Sequence, residues 1–83
     1  MDRADIHGTL REFVINDMIR MPGYDLQDDE PLITGGLVDS FDLALFGVFV
    51  EERFQLYIPD PDLTVDNLDT LSQMVDRVMR DLA

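Results

Sequence analysis

Between Phe41 and Phe54 the chain sets large apolar side chains on two opposite sides of one helix, and this constrains the fold more than any other feature. On a helical wheel Leu43, Phe46, Val50 and Phe54 form one stripe, while Phe41, Leu45, Val48 and Phe49 lie roughly opposite. A helix of that kind is either central to its bundle or offers its second face to a partner. A single domain of 83 residues buries only about 60–65% of its unfolded surface. That is too little to cover both faces easily, and it leaves little room for a deep substrate cavity.

The flanking segments supply the partners for the first stripe. Ile6, Leu10, Phe13, Val14 and Met18 recur at helical spacing with Arg11, Glu12 and Asn16 on the other side, which predicts an amphipathic helix over roughly residues 5–19. Pro22-Gly23 ends it. An acidic stretch from Asp25 to Glu30 then leads through Pro31 to Gly35-Gly36, a connection of about twenty residues, longer than compact domains usually allow without a functional reason. Leu26, Leu32 and Ile33 are placed to pin it across the bundle. The two-faced helix is expected to start at Asp39 or Ser40, either of which can cap it, and to run to about Arg53. Asp60-Pro61-Asp62-Leu63 reads as a turn, with Thr64 capping a short helix through Leu68. Thr70-x-x-Gln73 is a capping box that opens a last helix carrying Leu71, Met74, Val75, Val78, Met79 and Leu82. The expected fold is all-α: one domain over residues 1–83, three main helices plus a short one, with a long first loop.

Charge narrows the function. With 18 acidic residues against 6 arginines and no lysine, the formal net charge is −12. Nucleic acid is excluded as a partner, because neutralising phosphates requires cations that the chain lacks. Basic protein surfaces are the natural counterparts, and self-repulsion should make stability rise with salt. No cysteine is present, so any thiol chemistry must be imported. No apolar run approaches the ~20 residues of a membrane span, and Met1-Asp2-Arg3-Ala4-Asp5 has no basic region followed by an apolar core. A cytoplasmic monomer is expected.

Few constellations carry chemistry. His7 has no serine or cysteine near it in sequence and reads as a surface histidine. Asp60 to Asp66 has the alternating oxygens of a calcium loop. The required glycine and bidentate glutamate are replaced by Val65 and Leu71, so no metal site is assigned. No base, nucleophile and oxyanion donors assemble, which argues against an enzyme.

That leaves Gly36-Leu37-Val38-Asp39-Ser40-Phe41. A serine at the start of a helix is exposed and lies beside unpaired backbone N–H groups, which suits a phosphate ester. Together with Glu51-Glu52-Arg53-Phe54 and Tyr57-Ile58-Pro59-Asp60, this stretch resembles the discrete acyl carrier proteins over essentially the whole chain. The resemblance implies that Ser40, with Asp39 as its motif neighbour, receives covalent 4′-phosphopantetheine from coenzyme A. It also implies that the arm holds an acyl or aminoacyl thioester for a specialised pathway. A phosphopantetheinyl transferase and a loading ligase, synthase or transferase with a basic docking surface would then be the partners. Gly36 lies one place earlier than in fatty-acid-synthesis carriers, and Leu45 stands where those usually offer an acid. The glycine spacing looks more like D-alanyl, aminoacyl and secondary-metabolic carriers, and Leu45 replaces part of the electrostatic footprint with an apolar one. Phe41, Asp42, Leu45, Val48, Phe49, Glu51 and Glu52 are the expected partner-binding residues. The alternatives are a fatty-acid-synthesis carrier and an unmodified acidic interaction module in which Ser40 is only a cap.

Overall fold

The computed structural model describes residues 2–82. Helix α1 spans Arg3–Phe13 and continues as a π-helical stretch, Val14–Ile19. Helix α2 spans Asp42–Phe54, a 3₁₀ turn Asp60–Asp62, α3 Val65–Leu68 and α4 Leu71–Leu82. The described residues are helical or irregular and include no strand, so the expected all-α class holds. After α2 the chain from residue 55 to 59 is irregular, beginning with Gln55 in the left-handed region, φ 56°.

Sequence explains each piece. Asp2 caps α1 by accepting the Asp5 N–H at 2.9 Å. Beyond Phe13 a regular 3.6-residue repeat would turn Asp17 toward the core, since it follows Ile6 by three turns. The wider π turn keeps Asp17 and Asn16 exposed and instead buries Ile15, Met18 and Ile19. At the other end of the chain the capping box forms as the sequence predicts. The Gln73 N–H reaches Thr70 Oγ1 at 3.1 Å, and Gln73 Oε1 accepts the Thr70 N–H at 3.0 Å. Thr64, by contrast, makes no side-chain bond to α3.

One continuous core joins the helices, with Phe46, Ile6, Leu10, Leu68, Leu71 and Met74 at its most enclosed points. Each such side chain contributes about 1.5–3 kcal/mol by leaving water. The long loop belongs to this core. Leu26 and Leu32 are buried and Ile33 packs against them, as the sequence suggests, and Val38 joins them. Polar bonds fix the loop from outside. Asp69 accepts the Ile33 N–H at 2.8 Å, the Thr34 N–H at 3.1 Å and the Thr34 hydroxyl at 2.6 Å, while its own carbonyl accepts the Leu32 N–H at 2.7 Å. The Asp28 carbonyl accepts the Ser72 N–H at 3.0 Å, which ties the loop to the start of α4. The connection is therefore long because it is a packed element of the bundle in its own right.

Candidate functional site

The loop delivers the chain to α2 through a tight sequence of turns. Gly36 takes φ 83°, a left-handed conformation that suits glycine. The Leu37 and Val38 N–H groups then both reach the Leu32 carbonyl at 2.9 Å, and Val38 enters the core. Asp39 closes the turn that precedes the helix. Its Oδ1 accepts the Phe41 N–H at 3.1 Å and its carbonyl accepts the Asp42 N–H at 2.9 Å. The regular helix consequently starts at Asp42, and the expected start at Asp39 or Ser40 is corrected. Ser40 occupies the turn before it, exposed. Its carbonyl accepts the Leu43 N–H at 3.1 Å, but among the described residues its hydroxyl has no hydrogen-bond partner. Ser40 is not a side-chain cap.

The two faces of α2 separate as the wheel requires. Leu43, Phe46, Val50 and Phe54 are buried. On the other side Phe41 is 85% exposed, Leu45 40% and Val48 52%, with Tyr57 65% exposed beyond the end of the helix. Phe41, Leu45 and Val48 follow one another at i, i+4 and i+7, one continuous ridge. Phe49 does not belong to it. Its ring, half-buried, stacks on Phe13 with centroids 4.0 Å apart and meets Phe54 edge-on at 6.5 Å, so it faces α1 and not the ridge. Asp42 is half-buried and its Oδ1 lies 3.7 Å from Arg20 Nη2, so it is shared with the end of the π turn. Glu51 and Glu52 remain exposed. Met21 and Tyr57 add apolar surface that the sequence reading omitted; both stand outside any helical stripe, so periodicity gave no signal for them.

Two shallow hollows flank the ridge. One, of about 310 Å³, is lined by Ser40, Phe41, Leu43, Ala44, Asp60 and Leu63. The other, of about 190 Å³, is lined by Ala44, Gly47, Val48, Glu51, Tyr57, Ile58, Asp60 and Leu63. Leu63 borders both, and it lies so close to α2 that a Cβ on Gly47 would meet Leu63 Cδ1 at 3.0 Å.

The histidine and the acidic turn are committed elsewhere. His7 Nε2 lies 2.7 Å from Asp28 Oδ1, an α1-to-loop contact. Asp62 of the supposed calcium loop bonds Arg77, and among the described residues no group of three or more His, Cys, Asp or Glu is arranged to hold a metal ion. Arg77 is held above its ordinary value by its hydrogen bond to Asp81, against the opposing effect of burial and with the aid of Asp62. For Asp69 burial acts to raise the carboxyl, but bonds from the Thr34 hydroxyl and the Thr34 and Ile33 N–H groups outweigh it and the net shift is downward. Among the described residues no helix is long and apolar enough to cross a membrane.

Comparison with known proteins corrects the carrier resemblance. No family model matches the chain, and no solved structure matches it. A curated protein that does match is the ribosome maturation factor RimM of Fusobacterium nucleatum subsp. nucleatum, 36% identical over 70 residues. The match covers 81% of this chain but only 39% of that protein, so the chain spans about two fifths of its relative. This similarity overturns the acyl-carrier assignment, the thioester-shuttling role and the transferase and loading-enzyme partners that followed from it. The misleading signal has a physical origin. A positive-φ glycine, a buried valine and an aspartate that closes the last turn are what entering this apolar helix requires, so the Gly-Leu-Val-Asp-Ser pattern is explained by local structure. The match in sequence is to a protein named for ribosome maturation.

Proposed function

We propose that this chain is a non-catalytic docking module that presents the Phe41–Leu45–Val48 ridge to a basic protein in the cytoplasm. The observation that supports it is the ridge itself: consecutive large apolar side chains left exposed along α2 in a chain of net charge −12. Exposed apolar surface rimmed by charge marks interaction sites. The charge raises encounter rates with basic partners and the apolar ridge supplies selectivity. The similarity to a ribosome maturation factor suggests ribosome maturation as the setting. There the acidic surface favours contact with a basic ribosomal protein over contact with RNA.

The test is co-sedimentation with ribosomal subunits, alongside binding to purified basic ribosomal proteins and to protein-free ribosomal RNA. Wild type is expected to bind the subunits and at least one protein, more weakly at higher salt, and not the RNA. Phe41→Asp is expected to abolish binding. Binding to RNA alone, or binding indifferent to Phe41→Asp, would contradict the proposal.

The unbonded hydroxyl of Ser40 favours a second use of the same edge, as the point of covalent attachment of 4′-phosphopantetheine. The residues fit such a group: Ser40 is exposed and opens onto the hollow formed with Phe41, Ala44 and Leu63. Attached there, it would supply a thiol that this cysteine-free chain lacks. Intact mass of wild type and Ser40→Ala isolated from cells decides it. A phosphopantetheinyl adduct on wild type alone supports attachment, and identical unmodified masses reject it.

A further inference from the structure

The segment between α2 and α3 is held in an unusual way. Among the described residues its backbone bonds are all local: Gln55 to Glu51 at 3.0 Å, Asp62 to Pro59 at 2.8 Å and Leu63 to Asp60 at 3.0 Å. None of these joins the segment to α4. Its hold on the bundle is through side chains: Ile58 buried in the core, Leu63 lying over Gly47 of α2, and Asp62 bonded to Arg77 of α4. Arg77 is built for that bond. Its side chain is only 9% exposed, and its guanidinium forks between Asp81 at 2.8 Å and Asp62 at 3.1 Å. Its Nε is buried without a partner among the described residues. A guanidinium so far out of water cannot be left unpaired without a large cost, so the two carboxylates fix where it sits.

Leu63 follows Asp62 directly and forms a wall of both hollows beside the ridge, including the one bordered by Ser40 and Phe41. We propose that Arg77, acting through Asp62, is the positioning residue for the ridge's flank: it holds the Asp60–Leu63 turn against α2 like a strap. When the Arg77–Asp62 bond is broken, Leu63 leaves Gly47 and the edge next to Phe41 changes shape. The docking consequence rests on the reading given under Proposed function; the strap itself does not.

The fork allows a controlled test, because each arm can be weakened separately at a partly exposed carboxylate. Asp62→Asn weakens the arm that reaches the turn by removing its charge, and Asp81→Asn does the same to the arm within α4. Both variants cost a comparable charge-assisted bond. In Asp62→Asn the nuclear Overhauser contact between the Leu63 methyls and Gly47 is expected to weaken. Amide exchange at Asp62 and Leu63 should quicken by about tenfold, as a tie of this kind is lost. Asp81→Asn is expected to leave both signals as in wild type. Unchanged signals in Asp62→Asn, or equal changes in the two variants, would overturn the strap. Binding of the same variants to a basic ribosomal protein is measured in parallel. Loss of docking by Asp62→Asn but not by Asp81→Asn supports the link to the ridge. Full docking by an Asp62→Asn chain whose Leu63 has moved rejects that link while leaving the strap in place.

Discussion

Asp39 Oδ1 accepts the Phe41 N–H at 3.1 Å, and this bond assigns the two neighbouring polar residues different work. Asp39 closes the turn before the helix, and the Ser40 hydroxyl is left over. Asp39→Ala is expected to cost about 1 kcal/mol, the usual net worth of one hydrogen bond. Ser40→Ala should change stability by less than about 0.5 kcal/mol. Urea unfolding of the two variants checks this, and a larger loss for Ser40→Ala would reverse the assignment.

The flanks of α2 should respond differently to truncation. Phe49 stacks on Phe13, so Phe49→Ala is expected to lose about 2 kcal/mol, less than a fully buried phenylalanine. Val48 is half in water, and Val48→Ala should stay within about 0.5 kcal/mol. Equal losses in thermal unfolding would mean that the ridge is packed in solution.

Asp69 fastens the loop. Removing its carboxylate in Asp69→Ala leaves the Ile33 and Thr34 donors unpaired and is expected to cost about 2 kcal/mol. The pH sign follows from its lowered carboxyl. A carboxylate depressed in the folded state contributes fully above the unfolded value of about 3.9, and the contribution is lost as pH falls through the lower folded value. Stability of wild type should therefore fall more steeply than that of Asp69→Ala on acidification below about pH 4. Parallel acid-unfolding curves would remove Asp69 from that role.

Gly8 lies exposed inside α1 with nothing within 4 Å of where a Cβ would stand. Gly8→Ala is expected to raise stability by about 0.5–1 kcal/mol through helix propensity alone. A lower melting temperature would show that α1 needs that glycine for a contact.

With a net charge of −12, repulsion is expected to exceed what the ion pairs recover. Screening shortens from about 10 Å at 0.1 M salt to about 3 Å at 1 M. The melting temperature should rise across that range despite weakening of exposed pairs such as Arg3–Asp76. A fall would mean that those pairs outweigh the repulsion.

The helices were legible because apolar spacing and capping are local. Thr70 and Gln73 form the expected box, and α2 buries one stripe while exposing most of the other. What failed needed the third dimension. Phe49 lies on the outward side of the wheel, and it is half-buried because Phe13 crosses there. The π turn after Phe13 reflects competition between Asp17 and the core for one direction, which a fixed 3.6-residue period does not represent. At the site, Asp39 and Ser40 were equivalent caps on paper, and only backbone geometry separated them. The carrier resemblance failed for a related reason: residues that build the start of α2 were read as a signature of function, whereas the similarity found is to a ribosome maturation factor.

The most direct test of the docking module is the affinity of wild type and Phe41→Asp for a purified basic ribosomal protein at low and at physiological salt. Salt-sensitive binding by wild type that is lost in a folded Phe41→Asp chain is the expected result. Absence of binding by wild type, or equal binding by both chains, would contradict a docking role for the α2 ridge.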